Sequence, residues 1–213
     1  MPRSVAARLT RALISTFLAS ASLLALSTAP ADAGLLVRTA TGCQTQILEQ
    51  PFQRFGDSSY YTLVSNGGLE SGATDWTLSK ASGVSGNETY YVHAANDSKS
   101  LYLPAGSSAT TRAVCVGLSH PAMRFFARSA GTGLLSSLRV NVLVEDSLGN
   151  VLSLPIGSIS PATAWAPTPR VLIVANLLPL LPGSQTPVAF SFTPQGTGTW
   201  WIDDVYVDPH RTS

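Results

Sequence analysis

From residue 34 onward, short runs rich in β-branched and aromatic residues alternate with Gly, Pro, Ser and Asn. The runs predict strands over 60–65, 76–81, 90–93, 100–103, 112–116, 123–129, 138–145, 151–156, 170–175, 188–193 and 200–207. In two of them apolar residues hold every second position: Leu138, Val140, Val142 and Val144, then Val188, Phe190 and Phe192. Successive strand side chains point to opposite faces, so each run presents one face to a core. No segment keeps a helical period for three turns. The best candidate, 171–178, starts on Val171 and is stopped by Pro179, which predicts a strand and at most one helical turn. Many short strands at this spacing predict an all-β protein, a two-sheet antiparallel β sandwich of the jelly-roll kind.

The polar faces of the same strands are then readable. If the loop 130–135 closes a hairpin, Met123, Phe125 and Ala127 turn inward with Leu138, Val140 and Val142. Phe126 then faces outward opposite Arg139, with Arg124 opposite Asn141 and Arg128 and Glu145 nearby. An aromatic face among bidentate donors suits a sugar ring, and carboxylated sugars suit guanidinium groups better still. The plainer reading of the set is a solvent-facing sheet with Arg139 stacked on Phe126 as cation–π support. The adjacent pairs Tyr60-Tyr61, Tyr90-Tyr91, Phe125-Phe126 and Trp200-Trp201 each send one ring inward and one outward. An outward ring is covered by a loop or joins a stacking platform.

The closing run breaks strict alternation, since Ile202 and Val205 are both apolar yet three apart. A bulge at Asp203-Asp204 turns both inward and aims a carboxylate and carbonyls at one point. First and last strands of a sandwich often lie side by side. Glu70, a carbonyl at Gly68 and Asp203, with Asp204 beside them, are then oxygen ligands of the kind Ca²⁺ takes. Turn capping or simple solvation of these acids is the competing reading.

The first 33 residues stand apart. Arg3, Arg8 and Arg11 precede a 15-residue apolar run, 12–26, and Ala31-Asp32-Ala33 follows it. This is a signal-peptide pattern, and the run is short of the roughly 20 residues a membrane span needs. The expected organisation is a signal peptide over 1–33, a lead-in over 34–58 and the sandwich over 59–209, secreted and without an integral membrane segment. The whole chain carries 13 basic and 12 acidic side chains. Without Arg3, Arg8, Arg11 and Asp32 the counts are 10 and 11, a net charge of −1. Such a balance argues against nucleic acid and anionic membrane as partners. Cys43 and Cys115 are the only cysteines, and in an exported protein they most simply form one disulfide, worth roughly 4 kcal/mol for a loop of this length. The alternatives are two buried free thiols or a metal site, for which two cysteines without a nearby Cys or His partner make an incomplete zinc set.

Catalytic signatures are missing: there is no His-Glu-x-x-His, no Gly-x-Ser-x-Gly, no phosphate-binding glycine loop and no Cys-x-x-Cys. Glu145 and Asp146 are adjacent, so a strand splays them apart rather than facing them as a glycosidase does. The sequons Asn87-Glu88-Thr89 and Asn96-Asp97-Ser98 read as exposed loops.

Asn66-Gly67-Gly68-Leu69-Glu70, Trp76, Ser100-Leu101-Tyr102-Leu103 and Ile202-Asp203-Asp204-Val205 resemble, in that order, the galactose-binding-like jelly rolls that serve secreted xylanases and cellulases as carbohydrate-binding modules. Leu69 stands where those modules carry phenylalanine. Arg124-Phe125-Phe126-Ala127-Arg128 and Asp208-Pro209 are similar to an uncharacterised family of exported bacterial proteins. The first resemblance implies a structural Ca²⁺ held by Glu70, a Gly68 carbonyl and Asp203, with Asp204 adjacent. Together these features lead to the expectation of a secreted, non-catalytic domain that binds a glycan or cell-wall polysaccharide. The alternative is a cell-envelope or protein-interaction module without sugar binding, built on the apolar stretch 171–181.

Overall fold

A computed structural model describes residues 46–117, 120–131, 135–145, 150–173 and 186–208. The predicted signal peptide, Cys43 and most of the apolar stretch 171–181 lie outside the described residues. So does the Cys43 half of the predicted disulfide, while Cys115 is buried. Among the described residues no helix is long and apolar enough to cross a membrane.

Among the described residues thirteen strands run in the order β1 (Thr62–Leu63), β2 (Trp76–Ser79), β3 (Ser82–Ser85), β4 (Lys99–Leu103), β5 (Ser108–Thr111), β6 (Val114–Val116), β7 (Ala122–Ala130), β8 (Ser137–Glu145), β9 (Val151–Ile159), β10 (Ala166–Pro167), β11 (Val171–Leu172), β12 (Thr186–Gln195) and β13 (Thr199–Val207). They form the two antiparallel sheets of a sandwich. One sheet has the order β10-β7-β13-β4-β3, with β1 on β13 and β11 on β7; we call it the seam sheet because it joins the first strand to the last. The second has the order β2-β5-β12-β8-β9, with β6 on β12.

Alternation builds the core as the pattern predicts. Leu138, Val140, Val142, Val188, Phe190 and Phe192 from the second sheet meet Met123, Phe125, Leu101, Leu103, Trp200 and Ile202 from the seam sheet. A separate aromatic cluster lies on the outer face of the seam sheet: Phe126, Tyr206 and Trp201 under Phe52, Phe55, Tyr61, Tyr90 and Trp165. The lead-in segment and two loops roof this face. Phe52 stacks on Phe126 with ring centres 5.5 Å apart, and Tyr61 and Tyr206 meet Phe52 edge-on.

Three expectations are corrected. The β7–β8 hairpin does not form: β7 pairs with β13, β10 and β11, whereas β8 pairs with β12 and β9. The connection crosses from one sheet to the other, and because both strands present their apolar residues to the same core, alternation alone cannot tell a crossing from a hairpin. Phe126 therefore stands opposite Asp203 and Pro167, while Arg139 stands opposite Thr193 and Ser158. The predicted strand at 90–93 is a turn, because the Glu88 carboxylate accepts the Tyr90 and Val92 amides that a ladder would use. The sequon at Asn87 is not an exposed loop throughout, since Glu88 is fully buried.

Candidate functional site

The seam comes first. Thr62 lies opposite Val207 and Leu63 opposite Tyr206. Past β1 the chain stays on the last strand: Val64 donates its amide to Val205 O at 2.9 Å, and Val205 returns one to Gly67 O at 3.2 Å. Asn66 closes the turn, its amide donating to Gly72 O and Thr74 O while its carbonyl oxygen accepts from the Ser71 amide. Glycine is required at 67, where a Cβ would stand 2.8 Å from Val205 O. The predicted bulge is present: the β13–β7 register shifts between Asp203 and Tyr206, and Asp204 has φ +47°. Ile202 and Val205 both enter the core as a result.

The bulge gives the two aspartates opposite surroundings. Asp203 is fully buried, and its oxygens are occupied: Oδ2 accepts the Glu88 amide and Oδ1 the Asp204 amide, both at 2.9 Å. Asp204 is equally buried, yet neither carboxylate oxygen has a hydrogen-bond partner. Its Oδ1 faces Gly68, where a Cβ would approach to 2.9 Å. Burial, with the charges of Glu88, Asp97 and Glu49 adding to it and His93 opposing, pushes the Asp204 carboxyl up to about 7. Burial and the neighbouring Asp204 push Asp203 up to about 9, against the two amide hydrogen bonds. An isolated buried carboxylate is among the costliest groups a fold can hold. A cation in contact would satisfy the orphaned oxygens and reverse both shifts.

Of the four predicted ligand positions, the structure joins Gly68 to Asp204. Asp203 turns its oxygens to backbone amides. Glu70 reaches the start of β4, where Oε1 accepts the Ser98 and Lys99 amides at 2.8 and 2.7 Å. Burial raises its carboxyl, but those hydrogen bonds and the Lys99 charge outweigh it and hold it below the usual range. Among the described residues no three His, Cys, Asp or Glu side chains are grouped to hold a metal. A cation at Asp204 would draw its remaining oxygens from carbonyls and water, which Ca²⁺ accepts readily.

The outer face of the seam sheet is the second feature. Alternation on β7 places Arg124, Phe126 and Arg128 there, as the polar pattern predicts for these three. Arg124 is compensated: its Nη1 lies 2.7 Å from Asp57 Oδ2, its Nε donates to Thr168 O, and its guanidinium covers Phe52 at 4.4 Å. Asp57 also takes Arg170 at 2.7 Å and the Tyr61 hydroxyl. Burial raises Asp57, but hydrogen bonds from Arg170, Tyr61 and Ser59 outweigh it and hold it far below the ordinary carboxylate range.

Arg128, four residues on, is different. Its guanidinium lies 4.0 Å from the Trp201 ring centre and 5.4 Å from that of Trp165. Trp201 stands opposite both Arg128 and Tyr102, and its ring centre is 5.3 Å from that of Tyr102. Arg128, Trp201 and Tyr102 are each half-buried. They make an aromatic and cationic platform beside the roofed half of the face.

Arg139, Asn141 and Glu145 belong to the outer face of the second sheet, across the sandwich from Phe126. Arg139 is exposed, and Asn141 donates to Ser153 Oγ at 2.9 Å. The single constellation expected from the sequence is thus two separate sets, and Arg139 does not stack on Phe126. Sequence reasoning gave no role to Tyr102, Asp57 or Glu88. The Trp200-Trp201 doublet was the available signal for the platform, since its outward member carries it.

No family model matches the chain, and no curated protein sequence matches it. Solved structures do. A family 22 carbohydrate-binding module of Clostridium thermocellum is 16% identical with TM-score 0.43, over 70% of this chain and 97% of that one. A two-module endo-1,4-β-D-xylanase fragment from the same organism, complexed with xylohexaose, is 15% identical with TM-score 0.46. The match covers 67% of this chain but only 27% of that fragment. A third module, complexed with β-1,4-galactotriose, is 17% identical with TM-score 0.38, over 69% of this chain and 97% of that one.

Proposed function

We propose that this chain is a secreted, non-catalytic glycan-binding module whose binding face is the platform of Trp201, Tyr102 and Arg128, with a structural Ca²⁺ at Asp204. The observation that carries the binding reading is the platform itself. Two aromatic rings on neighbouring strands offer C–H stacking surface, and a guanidinium beside them supplies donors for hydroxyls. Trp201 and Tyr102 keep part of their surface in water although the same sheet face is roofed a few residues away.

Asp204 supports the cation. Its position at the seam ties the reading to stability rather than to chemistry: an ion bridging Asp204 and the Gly68 turn joins the first and last strands. Glu70 stays in its hydrogen bonds at β4, and Asp203 keeps the bulge in shape. A Cys43–Cys115 disulfide would add a second tie between the lead-in and the sandwich.

Thermal melts test both halves. A ligand that binds only the native state adds roughly 2.7 kcal/mol of stability at a hundredfold excess over Kd and so raises the melting temperature. Xylohexaose or β-1,4-galactotriose should raise it in the unaltered protein and not in Trp201→Ala. A calcium chelator should lower it, and Asp204→Asn should remove the chelator's effect. Identical melts with every glycan tried end the binding reading, and identical melts with and without chelator end the cation reading.

A further inference from the structure

We infer that the platform selects acidic glycans, with a uronic-acid carboxylate engaging Arg128 while its sugar ring stacks on Trp201 or Tyr102; this rests on the glycan-binding reading above. The argument begins with two arginines on one face of β7. Arg124 and Arg128 are four residues apart, so both point away from the core, and both lie over aromatic rings. Arg124 has its anion in Asp57, which it shares with Arg170. Arg128 has none: no carboxylate among the described residues pairs with it, and its Nε is buried without a hydrogen-bond partner.

A guanidinium has five donors in a fixed planar fork, and cation–π contact satisfies none of them as a hydrogen bond. Stacking also fixes its plane, so part of the ordering cost of a bidentate contact is already met before a ligand arrives. The natural complement is a planar two-oxygen anion on a saturated ring, as in a uronate. Ser100 stands two residues before Tyr102 on β4, and its buried hydroxyl also lacks a partner. The half-buried Arg128 therefore keeps a guanidinium without a carboxylate partner among the described residues next to stacking surface.

Calorimetric titration with polygalacturonate oligomers and with the same oligomers fully methyl-esterified isolates the carboxylate, because the two differ only in charge and a methyl group. The acid form should bind at least tenfold more tightly, and added salt should weaken the acid form alone. Arg128→Gln should abolish that preference, the acid form losing at least tenfold more affinity than the ester does. Arg128→Lys keeps stem and charge and should retain only part of the preference, which guards against a packing defect in the glutamine variant. Equal or tighter binding of the ester, or a preference that survives Arg128→Gln, overturns the acidic selection while leaving the glycan reading intact. Equal binding of dextran sulfate would show general anion attraction and overturn it too. Failure of every glycan, xylohexaose included, overturns both.

Discussion

The two outer faces of the sandwich belong to sheets of similar size, yet the described residues roof one of them far more fully than the other. On the seam sheet Phe126 is fully buried beneath Phe52, Phe55 and Tyr90. On the second sheet the corresponding positions are short and polar: Thr77 opposite Thr110, Thr110 opposite Ser191, and Ser191 opposite Asn141. The roofed face carries a second hydrophobic cluster, an ion-pair network and the platform, whereas the other carries hydroxyls and the exposed Arg139 beside the buried Ala189 and Leu143. The difference teaches that outward residues of a sandwich are not a uniform class. An aromatic residue on an outer face calls for cover, and the edge of that cover is where partly exposed rings collect.

The contrast can be broken most severely at Phe126. Phe126→Ala should cost about 3–5 kcal/mol in chemical denaturation, the loss typical of a core phenylalanine. If it behaves as a surface change, the outer cluster is not a second core. Asp57 gives the next largest effect. Removing one partner of a buried ion pair typically costs about 3–5 kcal/mol, and Asp57→Asn should fall at or below the lower end, because Arg170 is half exposed and the amide can still accept one hydrogen bond. Its pH signature follows from a folded carboxyl held below its unfolded value of 3.8. The stability it contributes is fully present above that value and is lost as pH falls below it toward the folded one. Stability of the unaltered protein should therefore drop on acidification below about pH 4, and Asp57→Asn should flatten that part of the curve. The smallest effect belongs to the polar outer face of the second sheet, where Arg139→Ala and Thr77→Ala should each stay within about 0.5 kcal/mol and leave the proposed glycan binding unchanged. A larger loss in either would mean that this face has a partner.

Which of these features could be read from the chain depends on whether they leave a periodic trace. The bulge at Asp203-Asp204 was legible because Ile202 and Val205 cannot both be buried by a regular strand. The core faces of β8 and β12 were legible from alternation, as was the outward placement of Arg124, Phe126 and Arg128. The sheet on which each strand sits was not, because β7 and β8 look inward with the same period whether they pair or cross. The roof left no periodic trace either. Phe52, Asp57 and Glu88 lie outside strands, and their partners are set by where the loops land. Of the proposed cation site, the pairing of the first and last strands and the Gly68 turn were legible. That Asp204 rather than Asp203 is left without hydrogen bonds depends on the handedness of one bulge residue, which the sequence does not print.

The antiparallel pairing of Thr62 with Val207 also has a mechanical meaning. A pull applied between those two points acts across the strands rather than along them, so it would peel the ladder rung by rung instead of shearing all rungs together. Peeling yields at low force. Any grip at the Gly68 turn lies just past the two rungs of that ladder, where it would act as a latch that stops the tear before it reaches the core.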